Sequence, residues 1–142
     1  MLNGTSSLPL SLRVAAGSAA PPPNRAFLSR VVAVIEQHLD DEDLQVDTLA
    51  RHLAMGRTPF YRRLQDVTGC TPARLILETR LETAARLVAH DTRPLHEIAG
   101  LVGFKTSSHF GQRFRERFGV SPSAWRRRFR ASAQGSADDP RR

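Results

Sequence analysis

Apolar side chains return every three or four residues through most of this chain. No segment alternates with period two, so the pattern reads as helix and not as sheet. Phe27, Val31, Val34, Ile35 and Leu39 predict a helix over residues 25–39, ended by the acidic run Asp40, Asp41, Glu42, Asp43. Val46, Leu49, Ala50 and Leu53 give a second over 46–54. Gly56 is expected to make the following turn, because glycine tolerates positive φ. A third helix covers 57–68, with Pro59 tolerable in its first turn and Gly69 closing it. Thr71 then caps a long fourth helix over 72–89, with Pro72 at its first position and Leu75, Ile76, Ala84, Leu87 and Val88 as its buried stripe. A fifth helix runs over 94–102, opened by Pro94 and ended by Gly103; Gly100 within it costs about 1 kcal/mol relative to alanine. The sixth spans 106–118 and stops at Gly119. Ser121 and Pro122 start a seventh that ends near Phe129, with Trp125 and Phe129 as its core stripe. The expected fold is all-α.

Part of this pattern occurs twice. Gly69-Cys70-Thr71-Pro72 returns as Gly119-Val120-Ser121-Pro122, and Phe60 to Leu64 returns as Phe110 to Phe114, both 50 positions on. Leu49-Ala50, Leu53 and Met55 return as Ile98-Ala99, Val102 and Phe104 at an offset of 49, so one residue is gained in the second turn. A repeat of this kind is one supersecondary unit used twice. Short helix, tight turn and second helix make a helix-turn-helix, and two of them in a small basic chain point to duplex DNA.

Charge sharpens the picture. The chain has 142 residues and a formal charge of +7. Residues 36–47 hold six acids and no Lys or Arg, whereas residues 105–130 hold eight Lys or Arg against Glu116 alone. This suits a basic face for a polyanion with an acidic cap turned from it. Residues 1–24, with Pro21-Pro22-Pro23, read as a disordered arm or linker, 25–130 as the folded domain and 131–142 as a second loose tail. Apolar runs are far short of the ~20 residues a membrane span needs, and no signal peptide is evident. Cys70 is the single cysteine, so an internal disulfide and a zinc finger are excluded. The histidines His38, His52, His90, His96 and His109 have no ligand spacing with a third donor, and no nucleophile motif occurs. No metal, cofactor or enzymatic activity is expected, and a cytoplasmic setting is.

At 100° per residue, Phe60, Leu64 and Val67 share one side of the third helix, while Thr58, Arg62 and Gln65 lie opposite, with Tyr61 between. Fifty positions on, Ser108, Gln112 and Arg115 take the matching face of the sixth helix, behind which lie Phe110 and Phe114. Thr58, Tyr61, Arg62, Gln65, Ser107, Ser108 and Gln112 are therefore expected to meet base edges. Arg62 suits O6 and N7 of guanine, and Gln112 suits N6 and N7 of adenine. Arg57, Arg63, Lys105, Arg113, Arg115, Arg126 and Arg127 are expected at phosphates, which add affinity without sequence information. Any solvated helix face is polar, but two such faces related by the repeat beside a basic segment favour the reading role.

Residues 27–128 resemble the DNA-binding domain of the AraC-type (arabinose regulator) transcription factors. The matching residues are Leu49-Ala50, Leu53 and Met55; Tyr61 to Leu64; Gly69, Thr71 and Pro72; Arg80-Leu81 and Ala84; and the run from Ile98 through Gly103-Phe104, Phe110, Phe114 and Phe118 to Pro122. The resemblance implies two helix-turn-helix modules joined by the rigid fourth helix. Helices three and six would enter successive major-groove segments about 34 Å apart. Gly56 and Gln45 stand where the family usually caps a helix with Ser or Thr. Pro59 adds a rigid ring, and His109, Gly111 and Gln112 replace a frequent Tyr, Ser and Arg, which implies a different base preference in the second module.

Double-stranded DNA is thus the expected partner, with RNA polymerase if the protein activates and a monomer for this chain alone. Family members usually carry a second domain that senses a ligand, dimerises or receives a phosphorelay signal. The alternative is an accessory or interaction fragment of such a two-component or ligand-sensing regulator, with weak DNA binding of its own. A-form RNA lacks the wide major groove that such helices need.

Overall fold

Seven helices and no strand occur among residues 22–137, which the structure, a computed structural model, describes. They are α1 Pro22–Gln37, α2 Val46–His52, α3 Arg57–Thr68, α4 Pro72–His90, α5 Leu95–Leu101, α6 Ser107–Phe118 and α7 Pro122–Ala137. The chain divides into two compact units, through Glu82 and from Thr83 onward, and the continuous helix α4 contributes its first turns to one and its last to the other.

In the first unit the apolar faces of α1, α2 and α3 meet. Phe27, Leu28, Val31, Val32 and Ile35 of α1, Leu49 and Ala50 of α2, Phe60 and Leu64 of α3, and Leu75 and Ile76 of α4 are buried. Phe27 and Phe60 contact edge to face at 6.3 Å, a geometry that aromatic quadrupoles favour. The acidic turn after α1 is tied to α4 by Arg80, whose Nη2 donates to the Asp41 carbonyl at 2.7 Å. Burial lowers the Arg80 pKa below its ordinary value, against the opposing pull of Asp41 and Glu42.

The second unit is built on a chain of rings. Phe104 packs on Phe110, Phe110 on Phe114, and Phe114 on both Phe118 and Trp125, with centroid separations of 4.7 to 5.7 Å. Ile98, Ala99, Val102, Ala84 and Val88 complete the core. The indole Nε1–H of Trp125 donates to the Ala85 carbonyl at 3.0 Å, which fastens α7 to the end of α4.

The caps foreseen for α4 and α7 are present: the Arg74 N–H donates to Thr71 Oγ1 at 3.1 Å and the Ala124 N–H to Ser121 Oγ at 3.1 Å. The turn after α2 differs from expectation. Gly56 has φ −69° and merely stands before α3; the positive φ belongs to Ala54, at +56°. Ala54 matches Gly103, φ +88°, in the second module. Both turns close with the same pair of bonds. In one, Met55 N–H donates to the Ala50 carbonyl and Ala54 N–H to that of Arg51, each at 3.0 Å. In the other, Phe104 N–H donates to Ala99 at 2.9 Å and Gly103 N–H to Gly100 at 3.0 Å. This is the helix-ending motif that needs one left-handed residue, and the first module makes it with a residue bearing a Cβ.

Two boundaries and one core position also differ. α1 begins at Pro22, since prolines suit a first turn whose N–H groups lack helical partners anyway. α7 continues to Ala137, so 131–137, expected as loose tail, are helical; Ala131, Ser132 and Ala133 offer no stop signal, and alanine favours helix. Phe129, expected in the core, is 38% exposed, with its ring tilted against Trp125 at 5.1 Å and edge to face with His90 at 6.2 Å. Residues 1–21 and 138–142 of the expected arm and tail lie outside the described residues.

Candidate nucleic-acid interface

α3 presents Thr58, Tyr61 and Arg62 to solvent, while Phe60 and Leu64 are fully buried behind them. The helix period separates these two sets, and the rigid aromatic backing fixes where the outer side chains project. Gln65 is half-buried and sits at the edge of this face. Two of the cations expected at phosphates have partners within the unit. Arg57 lies 3.5 Å from Asp47 across the α2–α3 turn, an exposed pair of little energetic weight. The Arg63 guanidinium stacks over the Phe27 ring at 4.4 Å. Stacking holds the guanidinium plane while leaving its edge able to donate to an anion.

α6 repeats the arrangement with better capping. Thr106 Oγ1 accepts from the His109 N–H at 3.0 Å, whereas its counterpart Gly56 has no side chain to do so. The residue gained in this turn is Lys105, exposed between the close of α5 and the cap of α6. Phe110 and Phe114 are buried behind. In front, Ser107, Ser108, Gln112 and Arg115 line an open concavity of about 460 Å³ together with Gly111, Glu116 and Ser121. The structure thus brings together the three residues that the sequence placed on one face, Ser108, Gln112 and Arg115, and adds Ser107 beside them. Gln112 Nε2 donates to Glu116 Oε2 at 3.3 Å, and Arg113 Nη1 donates to Glu116 Oε1 at 3.2 Å. The Arg113 Nε–H reaches His109 Nε2 at 3.4 Å.

Arg126 and Arg127 part company. Arg127 is exposed. Arg126, expected at a phosphate, instead donates from Nε to the Val88 carbonyl at 3.0 Å and from Nη2 to the Asp91 carbonyl at 2.9 Å. It caps the C-terminal end of α4, where carbonyls lack helical partners and a cation is favoured. Burial, with help from the neighbouring charge of Arg130, lowers its pKa from the ordinary value, and Asp91 opposes this. Glu116, in sequence only the lone acid of a basic segment, joins this face through its bonds to Gln112 and Arg113. Its spacing of four from Gln112 and three from Arg113 is the sequence signal for those contacts. No group of three or more potential metal ligands clusters among the described residues, and no helix there is long and apolar enough to cross a membrane.

A helix-turn-helix domain family matches residues 49–128. The DNA-binding domain of the global transcriptional factor AdpA, solved with a target DNA, superimposes with a TM-score of 0.67 at 34% identity, covering 74% of this chain and 94% of that one. The chain belongs to the AraC-type family of helix-turn-helix DNA-binding domains. The C-terminal domain of AraT, a response regulator from Geobacillus stearothermophilus, is similar at 31% identity and TM-score 0.65 over 78% of this chain and 88% of that one. The transcriptional activator RclR of Escherichia coli is 35% identical over 106 residues, 73% of this chain and 37% of RclR. The chain spans about a third of the length of the curated transcriptional regulators it matches.

Proposed function

We propose that this AraC-type domain regulates transcription by sequence-specific binding of double-stranded DNA, with α3 and α6 each laid in its own segment of major groove, the two segments being successive. The observation that carries this reading is the duplicated geometry: two helices of equal length, each backed by buried Phe and Leu or Phe side chains and each turning a polar face outward. Thr58, Tyr61, Arg62 and Gln65 on α3, and Ser107, Ser108 and Gln112 on α6, are the base-reading set. Arg57, Arg63, Lys105, Arg113, Arg115 and Arg127 are the phosphate set; Arg126 is withdrawn from it by its bonds to α4. RclR is named as an activator, which supports contact with RNA polymerase here. The proposed setting is the cytoplasm, at the nucleoid, with this chain binding as a monomer.

Binding-site selection from a random duplex pool, followed by mobility shifts, tests the reading. The expected result is a recovered motif with two separated blocks of conserved bases, competed by duplex DNA and not by duplex RNA. A chain that shifts no duplex would be an accessory fragment of a larger regulator.

A further inference from the structure

Glu116 lies on the reading face of α6, in the wall of the concavity that Gln112 and Arg115 share. An acid there repels every duplex, yet its two oxygens are placed on two different neighbours, Oε2 on Gln112 and Oε1 on Arg113. We infer that Glu116 is a positioning residue for base selection: it sets the orientation of the Gln112 amide and thereby the base that Gln112 accepts.

The chemistry follows from the donor inventory. An ionised carboxylate only accepts, so the nitrogen end of the Gln112 amide must face it. The flipped amide would set Oε1 against Oε2, acceptor against acceptor. With one Nε2 hydrogen given to Glu116, the second hydrogen and Oε1 remain as an ordered donor–acceptor pair, the pattern that N7 and N6 of adenine complement. Arg113 holds the carboxylate from its other oxygen and is itself steadied by His109. Side chains of Arg113 and Glu116 are 45% and 53% exposed, so the bridge contributes little to folding and its loss leaves the helix intact. Asp66 stands at the matching position of α3, 50 residues earlier, and supplies a control of the same charge remote in sequence from Gln112.

The inference rests on the reading that Gln112 meets a base, and the experiment separates the two. Full-length wild type, Gln112→Ala, Glu116→Ala and Asp66→Ala are measured against the selected duplex, its single-base variants and an unrelated duplex at one salt concentration. Glu116→Ala should bind the unrelated duplex several-fold more tightly. It should also lose at least about threefold of the roughly tenfold or greater discrimination that a bidentate contact supplies. That loss should fall at the one base position that Gln112→Ala also relaxes. Asp66→Ala should strengthen general binding and leave that position unaltered. Full discrimination by Glu116→Ala at a position relaxed by Gln112→Ala overturns the inference while leaving Gln112 a reader, as does equal relaxation by Asp66→Ala. If Gln112→Ala relaxes no position, the base assignment of Gln112 fails, and this inference with it.

Discussion

Exchanging alanine and glycine at the two matched turns should move stability in opposite directions. Ala54 holds φ +56° with a Cβ, which costs an L-residue about 1–2 kcal/mol. Replacing it by glycine removes that strain and gives back about 0.4–1 kcal/mol through the larger entropy of the unfolded chain. Ala54 is exposed, so no packing is lost. Ala54→Gly should therefore stabilise by about 0.5–1 kcal/mol, the balance of those two effects. Gly103 sits at φ +88° and is buried, so Gly103→Ala adds the same strain plus a methyl group that needs room. A loss of about 1–3 kcal/mol is expected there. Urea denaturation followed by far-ultraviolet circular dichroism reads both as shifts in midpoint at constant slope. If Ala54→Gly lowered stability by about 1 kcal/mol, as glycine does inside a helix, the left-handed turn would not be the conformation the chain adopts.

Arg126→Ala removes two bonds from a guanidinium to the end of α4 and should destabilise by about 1–3 kcal/mol in the same assay, while leaving the salt dependence of DNA binding unchanged. Phe110→Ala empties a fully enclosed site and should lose about 3–5 kcal/mol, seen as a lowered melting temperature. Arg62→Ala should weaken the preferred duplex by about 1–3 kcal/mol and relax one base position, whereas Arg115→Ala should weaken all sequences alike and reduce the log–log salt slope by about 0.9; mobility shifts at several salt concentrations distinguish these.

Local signals make most of the scaffold legible in the sequence. Thr71 and Ser121 announce their helices because a cap acts on an N–H three residues away, and the three-to-four period of Phe60, Leu64, Phe110 and Phe114 marks the inner faces. What escaped depends on partners distant in sequence. Arg126 lies within a run of three arginines that composition cannot tell apart; only the packing of α7 on α4 brings it to carbonyls 35 and 38 residues earlier. Phe129 has the right spacing from Trp125 for a core position, but periodicity does not say where the neighbouring layer stops. For the first turn a signal was available. The offset of 49 that pairs Leu53 with Val102 also pairs Ala54 with Gly103, whereas residue type alone points to Gly56.

The chain's one tryptophan is Trp125, packed against Phe114 and Phe118 with its indole N–H on a carbonyl, entirely within the second unit. Its fluorescence is therefore a private reporter of that unit, while helix ellipticity sums over both. In Ala54→Gly, a change confined to the first unit, emission and ellipticity should part if the two units unfold separately and should shift together if they unfold as one. A single pair of melting curves would then show whether the two reading heads are lost in one step or one at a time.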